Sequence, residues 1–408
     1  MNRKLFNLVI ILLILSSAIV QAQNRVRYTA IPKEGYRFVG WMDVDSRSTT
    51  ANPLVVSISP IPDSLENIPL ITVSNPITSR IIRLSDNIFT STQGVVKQEV
   101  LNDNSDNPLT TMNSSANIPA LKAYFVESGN LQSDGNNLVF GDTTCNDSLV
   151  NFVFIHVQPT GSVSLLNRTF TTTYDYYMTE TEITQLQWRY VMGCSNNPSN
   201  WPTSNFLPVE KVSWYAALVF CNKFSEKLGL HRVYSIRGDT NEANWGTIPT
   251  SQSSKWDSVV CNWDANGVRL PTEIEWMHAA REGVNSSYTY SGSNTPGNVA
   301  WYSANSSNIT HTVAGKTANS LGLYDMSGNV CEWCWDWFSA DLPNGGTNYK
   351  GPSTGTYRVR KGGWYNANVR ANPNELALDR AWGIYPYEKS SENGFRVVIP
   401  NPPINLRN

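Results

Sequence analysis

The segment Gly322-Leu-Tyr-Asp-Met-Ser-Gly-Asn-Val-Cys-Glu-Trp-Cys-Trp-Asp-Trp-Phe338 constrains this chain most. It holds three tryptophans, three acids and two glycines. Indoles of that density demand burial, and acids set among them demand partners. The segment reads as a strand. Cys331 and Cys334 within it have C-x-x-C spacing. Side chains three apart on a strand point to opposite faces, which argues against a local disulfide. A single C-x-x-C is a weak zinc signal, so buried free thiols are expected.

At 408 residues the chain is long enough for two or three domains. A net charge of −2 leaves no basic stripe for nucleic acid. Fourteen tryptophans and eighteen tyrosines accompany only 16% charged residues. Such a surface is neutral and polar, as in exported proteins and in protein or carbohydrate binders. Arg3 and Lys4, the apolar run 5–20 and Val20-Gln-Ala22 have the layout of a secretory signal peptide. Cleavage is expected after Ala22, with export to the periplasm, cell surface or medium. No later segment is apolar enough to span a membrane. Six cysteines, at 145, 194, 221, 261, 331 and 334, permit disulfides in an exported chain.

Val26-Arg-Tyr-Thr-Ala-Ile-Pro-Lys-Glu-Gly-Tyr-Arg-Phe-Val-Gly-Trp41 alternates as strand, turn, strand. With Asn52-Pro-Leu-Val-Val56 it resembles the small β repeats of internalin B-repeat type. Residues 67–148 mix β-branched runs with Asn, Asp, Ser and Gly clusters, as a β-rich module or linker. Beyond 149 the pattern changes. Thr184 and Gln187 form a capping box for a short helix to Met192. Ser213 caps a second helix, stopped by Gly229. Thr272 and Glu275 cap a third over 274–281, ended by Gly283. The expected organisation is a signal peptide 1–22, a B-repeat-like module 23–66, a β-rich segment 67–148, a large domain 149–400 and a tail 401–408.

Five ordered motifs lie in the large domain. They are Glu180-Thr-Glu-Ile-Thr-Gln-Leu-Gln-Trp188, Pro208-Val-Glu-Lys-Val-Ser-Trp-Tyr-Ala-Ala217 and Arg269-Leu-Pro-Thr-Glu-Ile-Glu-Trp276, then the tryptophan-rich segment, then Arg360-Lys-Gly-Gly-Trp-Tyr365 with Gly394-Phe-Arg-Val-Val398. Together they resemble the formylglycine-generating enzyme, or sulfatase-modifying factor, family over about 150–399. The resemblance implies an α+β fold, irregular and C-type-lectin-like, behind β-rich N-terminal modules. Enzymes of that family oxidise a sulfatase cysteine with a pair of cysteines. Those positions read Ala367 and Asn372 here. Trp364 stands where the enzymes have Ser, and Cys331 where they have Trp. A thiolate is the soft metal ligand such chemistry needs, so no copper is expected.

The resemblance also implies a structural calcium at Asp325, Gly328, Val330 and Glu332. Calcium takes carboxylates and backbone carbonyls, and glycine permits the tight turn that brings a carbonyl inward. The competing role for Glu332 is pairing with Arg269 or Arg396. Four histidines, 156, 231, 278 and 311, have no metal spacing. No nucleophile elbow or phosphate loop is present.

The segment 364–393 offers Trp364, Tyr365, Asn366, Asn368, Arg370, Trp382, Tyr385 and Tyr387. Aromatics with amides and an arginine suit a recognition surface for a protein or glycan partner. The sequence therefore reads as an exported, non-catalytic binding or cell-envelope module. The alternative is an oxidoreductase of the sulfatase-modifying type using Cys331 and Cys334.

Overall fold

The computed structural model describes residues 131–400 apart from 134–136, 144–148, 285, 370 and 371. Before them it describes only backbone strands between Asn24 and Val126. The signal peptide, the tail 401–408 and the turn at Gly35 lie outside the described residues.

The chain divides into two compact units, the first ending near residue 125. In the first unit, Asn24–Pro32 pairs with Leu54–Ile58 and with Gly94–Leu101, which also pairs with Ile88–Thr90. A second sheet is ordered Ser48–Thr49, Arg37–Met42, Leu121–Val126, Ile71–Ser74, Ser79–Ile82. Both sheets draw strands from each side of residue 66.

The second unit carries nine strands that frame its site. These are β1 (Leu131–Ser133), β2 (Leu138–Thr143), β3 (Leu149–Val157), β4 (Tyr176–Thr179), β5 (Cys331–Trp337), β6 (Arg358–Lys361), β7 (Trp382–Ile384), β8 (Asn393–Gly394) and β9 (Val398–Ile399). One sheet runs β1-β2-β3-β4-β9 and another β7-β6-β5-β8. The first sheet starts at Leu131, ahead of the boundary expected at 149.

Three helices form where caps predict them. Helix α1 (Gln185–Met192) starts from Thr184, whose side chain accepts the Gln187 N–H while Gln187 accepts the Thr184 N–H. Helix α2 (Trp214–Lys227) starts from Ser213, whose Oγ accepts the Ala216 N–H. Helix α3 (Glu273–Ala280) has the reciprocal box between Thr272 and Glu275. Each box satisfies two orphan donors of a helix start. Helix α3 is buried on every side, so its polar residues all need partners.

The tryptophans of β5 are placed by polar as well as apolar contacts. Trp333 is fully buried and donates its indole N–H to the Val212 carbonyl at 2.8 Å. The buried Arg358 guanidinium lies over the Trp214 ring at 3.6 Å and the Trp337 ring at 3.4 Å. It donates to the Trp335 carbonyl at 2.6 Å. A weakly hydrated planar cation can enter such an aromatic slot where an ammonium would not.

Candidate functional site

The frame of the site is a buried ion pair. Glu332, on β5, accepts from Arg396 Nε at 2.7 Å and from Arg396 Nη2 at 2.8 Å. The Trp276 indole N–H adds a third bond at 2.6 Å. Arg396 also donates to the carbonyls of Thr179, Glu180 and Tyr324. The ion pair thus ties β4, α3, β5 and the C-terminal segment together. Of the two partners that the sequence leaves open for Glu332, the structure gives it Arg396. Arg269 instead grips Glu275 with two bonds at 2.6 and 2.5 Å. Burial pushes the Glu275 carboxyl up, but Arg269 more than offsets this and holds it below the usual range.

Asp325, Gly328 and Val330 lie in the loop before β5, and Glu332 lies on β5 itself. Asp325 is buried at φ 55°, and its Oδ2 accepts the Ala314 N–H at 2.7 Å. Its Oδ1 is buried without a hydrogen-bond partner. Burial raises the Asp325 carboxyl to about 6. Gly328 has φ 84°, and a Cβ there would stand 2.3 Å from the Trp301 carbonyl oxygen, so only glycine fits. The Val330 N–H donates to Glu182 Oε1 at 2.9 Å, and Asn329 donates to Oε2 of the same acid at 2.7 Å. Sequence reasoning missed Glu182, which is fully buried; no local pattern marks a carboxylate that reaches 148 residues along the chain. Set against a calcium ion, the loop fits at Asp325, where an anionic oxygen lacks a partner. Glu332 has already committed three bonds to Arg396 and Trp276. Among the described residues no group of three or more His, Cys, Asp or Glu forms a metal cluster.

The positions that the resemblance assigns to reacting cysteines have structural work. Ala367 is fully buried and packs with Tyr290, Val299, Ala300 and Leu376. Its carbonyl accepts the Ser303 N–H at 3.1 Å. Asn372 caps a short 3-10 turn, Pro373–Leu376, by accepting the Asn374 N–H. Trp364 fills the space beside them. Its ring meets Trp382 edge-on at 5.1 Å, with the Arg360 guanidinium 5.3 Å from its centroid.

The eight residues of the expected recognition surface separate into groups. Trp364, Asn366, Trp382, Tyr385 and Tyr387 are half-buried, and Asn368 is exposed. Tyr365 is buried, its ring against Trp201 and its hydroxyl bonded to Ser391. Arg370 lies outside the described residues. Tyr385 and Tyr387 stack at 5.2 Å, and the exposed Tyr357 of the preceding segment joins Tyr385 at 4.7 Å. Tyr357 belongs to this surface although the segment read from sequence began after it.

Cys331 and Cys334 are buried free thiols, as are Cys221 and Cys261. Burial pushes Cys331 up to about 11 and Cys334 well above its ordinary value. A thiol held protonated is neither nucleophile nor metal ligand. Cys194 is disulfide-bonded.

The fold and the ordered motifs define a sulfatase-modifying-factor-like domain. A model of the sulfatase-modifying factor enzyme 1-like domain matches residues 125–400, and the chain belongs to that family. Chaperone protein LppX of Paenibacillus barcinonensis is 38% identical over 248 residues, covering 56% of this chain and 82% of that protein. The formylglycine-generating enzyme of Thermomonospora curvata is 37% identical over 126 residues, 26% of this chain and 42% of the enzyme. The chain therefore spans less than half of that enzyme. Among solved structures, Treponema denticola variable protein 1 superposes with a TM-score of 0.55 at 34% identity, over 62% of this chain and 96% of that one.

Proposed function

We propose that the second unit is a non-catalytic binding module that recognises a partner protein through the aromatic surface of β7 and the loops beside it. The observation that carries this reading is the employment of Ala367 and Asn372, one in an apolar cluster and one as a cap. Neither offers a thiolate, and the nearby Cys331 and Cys334 are buried and held protonated. The likeness to a chaperone over most of its length supports a partner that is itself a protein. The signal-like start and the disulfide at Cys194 support export, since disulfides persist in oxidising compartments. A structural calcium held by Asp325 and carbonyls of its loop belongs to the same proposal, supported by the unpartnered Asp325 Oδ1. Its chemistry there is to neutralise a buried carboxylate.

The test compares the full chain with the Trp382→Ala, Tyr385→Ala double variant as baits for proteins of the producing cell's envelope. Circular dichroism checks that both are folded. Partners captured by the parent and lost by the folded variant support the reading. Equal capture by both overturns it.

A further inference from the structure

Lys361, on β6, is the one lysine buried among the described residues, and it has no exposed surface. Lysines are almost never fully buried without good partners. Its Nζ has a hydrogen bond of 3.4 Å to Glu273 Oε1, from a carboxylate that is itself buried. The Trp276 ring adds a cation–π contact with its centroid at 5.5 Å. An ammonium has three donors, and one long bond leaves its charge poorly compensated. The other fully buried ion pairs, Arg269–Glu275 and Arg396–Glu332, use guanidiniums with close paired bonds. Those cations do not lose a proton and so do not become nucleophiles. A lysine amine does.

A third group stands beside the pair. Asp336 Oδ2 accepts the Glu273 N–H at 2.7 Å, and its Oδ1 is buried without a partner. Gly351 presses directly on this acid; a Cβ there would be 2.7 Å from the Asp336 Cβ. Burial and the neighbouring Glu273 push the Asp336 carboxyl well above its ordinary value, the direction that suits a proton donor.

We propose that Lys361 and Glu273 condense after folding into an intramolecular isopeptide bond, with Asp336 carrying the proton. Nζ forms a bond to Cδ of Glu273, and one C–O bond of that carboxyl breaks. Lys361 first passes one proton to Glu273 along their hydrogen bond, leaving a neutral amine and a carboxylic acid; Asp336 then gives its proton to the departing hydroxyl, which leaves as water, and recovers one from the nitrogen. The ammonium and carboxylate become a secondary amide and one water, so no oxidant or co-substrate is consumed. The hydrogen bond holds the amine against the carboxyl group in a dry site, and well-oriented intramolecular partners reach effective molarities on the order of 10⁵–10⁸ M. The product replaces two buried charges by one neutral amide. It links α3 to β6 across 88 residues of chain.

Tryptic mass spectrometry of the reduced, denatured full-length protein tests this. The expected product is a branched peptide joining residues 270–281 to 361–370, lighter by one water than its two arms. Lys361→Arg removes it, and Asp336→Asn lowers its yield by about tenfold or more. Cleavage after an unmodified Lys361, with peptide 270–281 free, overturns the bond. An undiminished yield in Asp336→Asn overturns the role given to that acid.

Discussion

Glu332 and Arg396 lie 64 residues apart in sequence and form a doubly bonded pair with neither side chain exposed. Removing one partner leaves an uncompensated buried charge, which destabilises by about 3–5 kcal/mol. Arg396→Met is therefore expected to lower the melting temperature of the second unit by roughly 10 °C or more. A shift of a degree or two would show that the pair is not what holds the frame.

Calcium is expected to act through Asp325. At about 100 times its dissociation constant, an ion that binds only the folded state adds roughly 2.7 kcal/mol. A chelator should lower the melting temperature by several degrees, and Asp325→Ala should remove that difference. Glu332, already bonded to Arg396, should contribute little to the ion. Identical melting with and without chelator would leave Asp325 as a buried acid bonded to Ala314 and nothing more.

His278 supplies a pH dependence. It is buried on α3 with both ring nitrogens unpartnered, and burial pushes it from 6.5 to about 4. Above pH 6.5 the native and unfolded rings are both neutral. As pH falls below 6.5 the unfolded chain takes up a proton that the native ring refuses, so stability is lost until about pH 4. At pH 5 the loss from this group is about 2 kcal/mol. Urea unfolding at pH 7 and pH 5 should show this loss in the parent, and His278→Leu should reduce it by that amount. Equal pH slopes in the two proteins would contradict the assignment.

Restoring cysteines should not restore chemistry. Ala367 is enclosed by Tyr290, Val299, Ala300 and Leu376, so a thiol there overpacks the cluster and destabilises by about 1–3 kcal/mol. Asn372→Cys also removes the cap on the turn that follows. The double variant Ala367→Cys, Asn372→Cys is expected to lose stability and to form no copper-thiolate centre in an optical titration. A stable protein with a copper charge-transfer band would show that the cleft survives behind Ala367.

The parts legible in sequence are those with local causes. Capping boxes need only Thr184 with Gln187, or Thr272 with Glu275, and both form. The ordered motifs around Glu180, Pro208, Arg269, Asp325 and Arg360 carry the fold, although its first sheet starts at Leu131 rather than at 149. The polar interior was less legible. Glu182, Asp336 and Lys361 are fixed by partners in remote segments, and irregular loops have no period to reveal which side faces inward. Nothing local marks Arg358 as buried; Trp214 and Trp337, from remote segments, lie on both sides of it. Tyr365 looks like its half-buried neighbours in composition, yet Trp201 and Ser391 hold it inside.

Loss of the family's chemistry on a retained scaffold is most directly tested by mass spectrometry. The purified full chain is incubated with a Cys-x-Pro-x-Arg peptide, copper and reductant, beside an active formylglycine-generating enzyme as control. The expected result is unmodified cysteine with this chain and aldehyde with the control. Formylglycine produced by this chain above background would contradict the account.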